Sequence, residues 1–160
     1  MTILFYGARH KPYGCFSNFS PHGFELDGVW WPTSEHYFQA QKFARTPFAD
    51  QIRQAPTPHE AAKMGRRRSL PLRPDWEAIK DQVMLAGVLR KFETHADIRA
   101  VLLATEEELL VENAPRDYYW GCGADGSGQN KLGQVLMMVR AVLRSQEVQQ
   151  PELFSSDNRM

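Results

Sequence analysis

Val29-Trp30-Trp31-Pro32-Thr33-Ser34-Glu35-His36-Tyr37-Phe38-Gln39-Ala40-Gln41-Lys42-Phe43-Ala44 contains the change of period that sets the fold. Its first three residues are apolar and β-prone. Pro32 interrupts them, and Thr33 or Ser34 then offers a capping hydroxyl to a helix that reads to about Ala44. Just upstream, Phe24-Glu25-Leu26 is joined to Val29-Trp30-Trp31 by Asp27-Gly28. A type I′ turn needs positive φ at both central residues, and Asp-Gly supplies it, so the spacing predicts a hairpin feeding directly into a helix. Pro47 prevents a long continuation of that helix.

The same reading extends in both directions. Ile3 to Tyr6 reads as a short strand and residues 7–23, rich in Gly, Pro, Ser and Asn, as loop. Downstream, Thr57-Pro58-His59-Glu60 is a capping box with proline at the first helical position, and Gly65 suits a left-handed cap at that helix's end. Pro71 and Pro74 frame a connector. From Asp75 to Phe92 apolar residues cover two sides of a helix, which predicts a central, buried one. Thr94 is placed to cap a further helix, on which Ile98, Val101 and Leu102 share a face.

Leu109-Leu110-Val111 reads as a second short strand and residues 113–128 as a loop with glycines and aromatics. A last helix runs from about Asn130 to Ser145, with Leu132, Val135, Leu136, Val139 and Leu143 on its core face. Residues 146–160 are polar and aperiodic and read as a flexible tail. There is no internal repeat. The expected architecture is α+β: one helix-dominated domain, residues 1–145, around a small β-sheet.

Composition limits the function. A chain of 160 residues with 42% hydrophobic and 24% charged residues fits one soluble globular domain. Lys+Arg and Asp+Glu balance at 19 each, which argues against a general nucleic-acid coat protein and leaves room for a local anion pocket. Cys15 and Cys122 match no metal spacing and read as free thiols in a reducing compartment. No basic leader with an apolar core and no membrane-length apolar run is seen, so the expected location is cytoplasmic, away from membranes. His10, His22, His36, His59 and His95 show no ligand spacing, so neither a metal nor another cofactor is expected. No serine sits in a G-x-S-x-G context, which disfavours a serine hydrolase.

Two segments, residues 30–43 and 113–134, hold the candidate chemistry. At about 100° per residue, Glu35, Phe38, Gln39 and Lys42 share one side of the first helix, and His36, Tyr37, Ala40, Phe43 and Ala44 the other. Glu35 and Lys42 are two turns apart, roughly 10.5 Å along the axis, too far for an i,i+4 ion pair but within reach of one ligand lying across the helix. Spacing alone favours a solvated face. The neighbouring Trp30, Trp31, Tyr37, Phe38 and Phe43 suggest pocket walls instead. In the second segment, Gly121, Gly123 and Gly126 formally match G-x-G-x-x-G, but no βαβ unit surrounds them, so a dinucleotide site is rejected. A glycine-rich turn before a helix can offer free N–H groups to an anion, and Trp120 could stack on a base; a tight turn with a core tryptophan fits equally well. Arg66-Arg67-Arg68 is either solvated surface or a phosphate contact.

Taken together, several motifs resemble the NADAR superfamily (NAD- and ADP-ribose-associated), in particular its YbiA-like bacterial branch. The resemblance spans about Phe5 to Arg144. It rests on Phe16-Ser17-Asn18-Phe19, on Trp31 through Lys42, on Thr57-Pro58-His59-Glu60-Ala61, and on Lys91-Phe92. Leu109-Leu110-Val111-Glu112, Trp120-Gly121-Cys122-Gly123 and Gly128-Gln129-Asn130-Lys131-Leu132-Gly133 complete it.

The resemblance implies an N-glycosidase that releases ribose 5-phosphate from phosphoribosylamino-pyrimidines, early intermediates of riboflavin synthesis. It also implies two alternatives: a hydrolase that removes ADP-ribose from guanine in nucleic acid, and a non-catalytic ADP-ribose binder. Neutral charge favours the small phosphoribosyl or ADP-ribosyl substrate over ADP-ribosylated nucleic acid. The resemblance assigns Glu35 as general acid/base, Lys42 as a nucleophile forming a Schiff base, and Asp117 as the anchor for ribose hydroxyls. Direct attack by water, with Lys42 purely electrostatic, is the competing mechanism. Trp120 is placed to stack on the base, and Gly121, Gly128 and Asn130 to take phosphate. Asn18, Trp31 and Gln39 complete the substrate-binding set. The leaving base and the oligomeric state stay open.

Overall fold

The computed structural model describes residues 1–149. In chain order the elements are β1 (Thr2–Phe5), a short 3-10 helix (Tyr13–Phe16), β2 (Phe24–Leu26), β3 (Val29–Trp31), α1 (Ser34–Gln41), α2 (Pro47–Arg53), α3 (Pro58–Gly65), α4 (Trp76–Thr94), α5 (Ala96–Ala104), β4 (Leu109–Glu112) and α6 (Lys131–Gln149). The architecture is the expected helix-dominated α+β. Its β-structure consists of two separate pairs, β2 antiparallel to β3 and β1 parallel to β4, the latter with Phe5 opposite Glu112. Asp27 (φ 54°) and Gly28 (φ 76°) are both left-handed, as the hairpin turn requires.

α1 divides the core. Thr33 caps it by accepting a hydrogen bond from the His36 amide at 3.1 Å. On one face Phe38 joins a cluster built from Trp76, Met84, Val88 and Phe92 of α4 and the Leu132–Leu143 face of α6. On the other, Tyr37, Ala40 and Phe43 pack with Phe24, Trp31 and Ile52. Both faces of the helix are therefore covered, and Ser34 through Ala40 are all buried. The solvated face that spacing alone favoured does not exist here.

Four local readings change. Pro47 does not merely end α1: with Thr46 accepting from the Phe48 amide, it opens α2 at a first-turn position where proline's missing N–H costs nothing. Gly65 is not a left-handed cap. It lies in the last turn of α3, and Arg66 (φ −93°) closes the helix in right-handed geometry. Thr94 does not cap α5, because its hydroxyl donates back to the Arg90 carbonyl at 2.7 Å, and His95 precedes α5 without a side-chain capping bond. α6 continues through Gln149, so residues 146–149 are helical; the rest of the expected tail, 150–160, lies outside the described residues. Cys15 and Cys122 are free thiols. Among the described residues no helix is long and apolar enough to cross a membrane.

Candidate active site

Glu35 occupies the first turn of α1, where unpaired N–H groups favour negative charge. Its amide donates to the Asn18 carbonyl at 3.1 Å, and the Ser34 hydroxyl donates to Asn18 Oδ1 at 2.8 Å. Asn18 Nδ2 lies 3.4 Å from Met84 Sδ on α4. Asn18 thus braces the start of α1 against α4, with its side chain already engaged. Glu35 is only 7% exposed, and its Oε1 accepts from Gln39 Nε2 at 2.8 Å. Burial pushes the Glu35 carboxyl above the ordinary carboxylate range, against the Gln39 hydrogen bond and the charges of Arg66 and Lys42.

Lys42 follows the last turn of α1. Its ammonium donates to the Gly65 carbonyl at 3.2 Å rather than to Glu35, and lies 5.8 Å and 5.9 Å from the ring centres of Phe38 and Trp76. Burial lowers its pKa below the ordinary lysine value; the Glu35 charge opposes that shift and Arg66 adds to it. The aromatic wall is Phe38 with Trp76 at 5.1 Å and Trp120 at 5.2 Å, and Tyr119 at 4.9 Å beyond Trp120. Of the aromatics expected as walls, only Phe38 is on this side. Trp31, expected to bind substrate, packs at 5.3 Å against Tyr37 on the opposite face of α1. The structure does not bring Trp31 to Glu35 and Lys42, because the period of α1 turns Tyr37 and its partners away from them.

The second segment meets the first through Asp117, whose charge acts on Glu35. Asp117 Oδ1 accepts from the amides of Tyr119 (3.0 Å) and Trp120 (2.8 Å), which fixes the loop and sets Trp120 edge-on to Phe38. Gly121 is a close-packing position: a Cβ there would lie 2.7 Å from that of Ala114.

Of the expected phosphate cradle, the amides that lead into α6 already have partners. The amides of Gly128, Gln129, Asn130, Lys131 and Leu132 donate to the carbonyls of Cys122, Tyr118, Gly121, Tyr119 and Trp120, at 2.7–3.0 Å. These N–H groups are therefore spent inside the loop. Asn130 (φ 52°) is spent as well: its Oδ1 accepts from the Glu112 amide and its Nδ2 donates to the Leu110 carbonyl, each at 2.9 Å. It pairs with β4 as a neighbouring strand would. Gly128 is small because a Cβ would collide with the Gly121 carbonyl.

Two side chains absent from the expected set belong to the site. Trp76 completes the wall beside Lys42. Glu112, the last residue of β4, feels the charges of Asp117 and Glu35, and its Oε2 is enclosed without a hydrogen-bond partner. Burial, then those two charges, pushes its carboxyl up to about 7. The signal in sequence was its position at the end of a strand, immediately before the site loop.

An α+β domain with enclosed carboxylates, a half-buried lysine and an aromatic wall has the parts of a hydrolytic active site. The NADAR domain model matches residues 4–144, and the chain belongs to that family. It is 54% identical over 148 residues to N-glycosidase Npun_R5314 of Nostoc punctiforme, covering 91% of this chain and 94% of that one. It is 49% identical over 142 residues to N-glycosidase YbiA of Escherichia coli, covering 89% of each. The NMR structure of E. coli YbiA superimposes with a TM-score of 0.86 at 48% identity, over 92% of this chain and 88% of that one. A riboflavin biosynthesis protein of Zea mays, PYRR, matches at 40% identity over 144 residues, which is 81% of this chain but 23% of the maize protein. The chain is accordingly an enzyme of the N-glycosidase class, a hydrolase of N-glycosyl compounds.

Proposed function

We propose that this N-glycosidase hydrolyses the bond between C1 of a ribose 5-phosphate and the exocyclic amine of a pyrimidine, an intermediate of riboflavin synthesis, releasing ribose 5-phosphate. The observation that carries the reading is the convergence of Glu35, Lys42 and Asp117 beside the Phe38–Trp76–Trp120 wall. The riboflavin name of the maize relative supports the choice of substrate. Cleavage of such a bond needs a proton on the departing nitrogen and a nucleophile at C1. Glu35 serves as the general acid/base for both proton transfers, because burial raises its carboxyl above the ordinary carboxylate range. Lys42, its pKa lowered by the same enclosure, either attacks C1 of the ring-opened imine or steadies charge while water attacks.

Trp120 is partly open and stacks on the base, and Asp117, already held by two amides through Oδ1, turns its second oxygen to the ribose hydroxyls. With the amides before α6 engaged, the 5-phosphate falls to Arg66. Arg66 is exposed, directly follows the carbonyl that holds Lys42, and acts electrostatically on both Lys42 and Glu35. Guanidinium suits a phosphate through paired N–H donors.

The test is a product assay on purified protein with two substrates, a phosphoribosylamino-pyrimidine and DNA carrying ADP-ribose on guanine. Ribose 5-phosphate released from the first and little turnover of the second is the expected result. Turnover confined to the second refutes the proposed substrate. Binding of ADP-ribose without turnover of either refutes this assignment in favour of a reader.

A further inference from the structure

Glu112 is held more firmly than a strand-end residue needs to be. Its amide is bonded to Asn130 Oδ1 at 2.9 Å, and its carbonyl accepts from the amides of Ala114 and Cys122, both at 2.9 Å. Pairing with β1, where Phe5 is its partner, fixes it from the other side. A backbone tied at that many points gives the side chain a fixed origin, as a reacting group requires. The carboxyl itself is not used by the fold. The residue is partly open, yet Oε2 is enclosed and bonded to nothing. A buried carboxylate oxygen without a partner is costly, so such a group is either a defect or a group kept for chemistry. The charged groups that act on it are Asp117 from the site loop and Glu35 from α1.

The reaction needs two proton transfers at opposite ends of one bond, and Glu35 has been asked to perform both. We infer that Glu112 is a second catalytic carboxyl, the acid that protonates the leaving amine, which frees Glu35 to act as base. This rests on the substrate proposed above. The Glu112 carboxyl gives its proton to the exocyclic nitrogen as the C1–N bond breaks and its electron pair goes to nitrogen. The ring oxygen shares the positive charge left at C1. Glu35 takes a proton from water, whose oxygen forms the new C1–O bond. The products are the free amine and ribose 5-phosphate, with Glu112 ionised and Glu35 protonated; one proton passed back to Glu112 restores the start. The environments suit the division. Burial raises both carboxyls and Asp117 adds to this at each, but Lys42 and Arg66 oppose it at Glu35 alone, whereas the charges acting on Glu112 are both negative.

Glu112→Gln keeps the shape and removes the proton. The variant and the wild type are assayed on the phosphoribosylamino-pyrimidine and on 4-nitrophenyl riboside 5-phosphate, whose phenolate departs without protonation. The expected result is a loss of about 10²- to 10⁴-fold in kcat on the amine and only a few-fold on the aryl riboside, with KM little changed. Equal losses on both substrates, or no loss on either, overturn the inference. A second readout does not depend on turnover. The infrared difference between wild type and Glu112→Gln at pH 6 should contain the carbonyl stretch of a protonated carboxyl, and its absence overturns the inference too. A wild type that releases no ribose 5-phosphate refutes the proposed substrate instead, and the infrared band then decides the state of Glu112 alone.

Discussion

Replacing Gly65 with alanine separates helix propensity from site geometry. In an isolated helix, alanine in place of glycine stabilises by about 1 kcal/mol. The backbone of Gly65 is not left-handed, so propensity alone predicts a more stable protein. Packing predicts the reverse. A Cβ there would collide with Gln39 Oε1 and stand 2.7 Å from Cδ and 2.9 Å from Cβ of the same residue. The amide end can swing away, but the Gln39 Cβ is fixed to α1, so the two helices must separate by several tenths of an ångström. Overpacking of that kind costs about 1–3 kcal/mol, leaving a net loss of about 0–2 kcal/mol. Activity should suffer more than stability. Gln39 loses its 2.8 Å bond to Glu35, and the Gly65 carbonyl moves off the Lys42 ammonium. Misplacing a reacting group by about 1 Å costs on the order of 10²-fold in kcat, so a shift of several tenths of an ångström should cost about 10-fold. Urea denaturation and initial rates on one preparation test both parts. A Gly65→Ala protein more stable than wild type with undiminished kcat would refute the coupling of α3 to the site.

Asn130→Ala removes two bonds to β4 and leaves Leu110 O and Glu112 N unpaired, so it should destabilise by about 2–4 kcal/mol in denaturation while KM changes little; a large rise in KM at unchanged stability would restore the phosphate role. Glu112→Gln should alter the pH dependence of stability. The Glu112 carboxyl is raised from 4.5 to about 7 in the fold, so wild-type stability falls as pH rises through that window and is flat above it. The variant should then be more stable than wild type at pH 8 by about 1–3 kcal/mol and equal to it near pH 4; equal stabilities throughout would show that Glu112 is not perturbed. Lys42→Arg should be inactive if Lys42 attacks carbon, since guanidinium keeps its charge, and borohydride added during turnover should trap a ribose adduct on wild type alone. Near-normal rates in Lys42→Arg would leave Lys42 an electrostatic support.

Much of the fold was legible because its signals are local. The Asp27-Gly28 turn, the Thr33 and Thr57 caps and the apolar face of α6 each depend on residues within a few positions. The Thr46-Pro47 start of α2 carries the same local signal as Thr57-Pro58, because proline both stops one helix and opens the next. Gly65 and Gly128 look like conformational glycines in sequence, but they are small because another segment passes close by, which no local pattern reveals. The site divides in the same way. The face shared by Glu35, Gln39 and Lys42 follows from helical period alone. Whether an amide at a helix start is free depends on the loop folded against it, so Gly128 and Asn130 looked like anion ligands until their partners were visible. Trp31 was adjacent in sequence to the site helix and distant from its reactive face for the same reason of period.

The most direct test of the central claim is the time course of ribose 5-phosphate release from a phosphoribosylamino-pyrimidine by wild type, Glu35→Gln and Lys42→Ala, each matched by its thermal midpoint. Turnover by wild type and losses of at least about 10²-fold in kcat in both variants are expected, with each variant folded and binding the substrate. Either variant retaining near wild-type turnover would contradict the central claim, because the chemistry would then lie outside the face of α1 that brings Glu35 and Lys42 together.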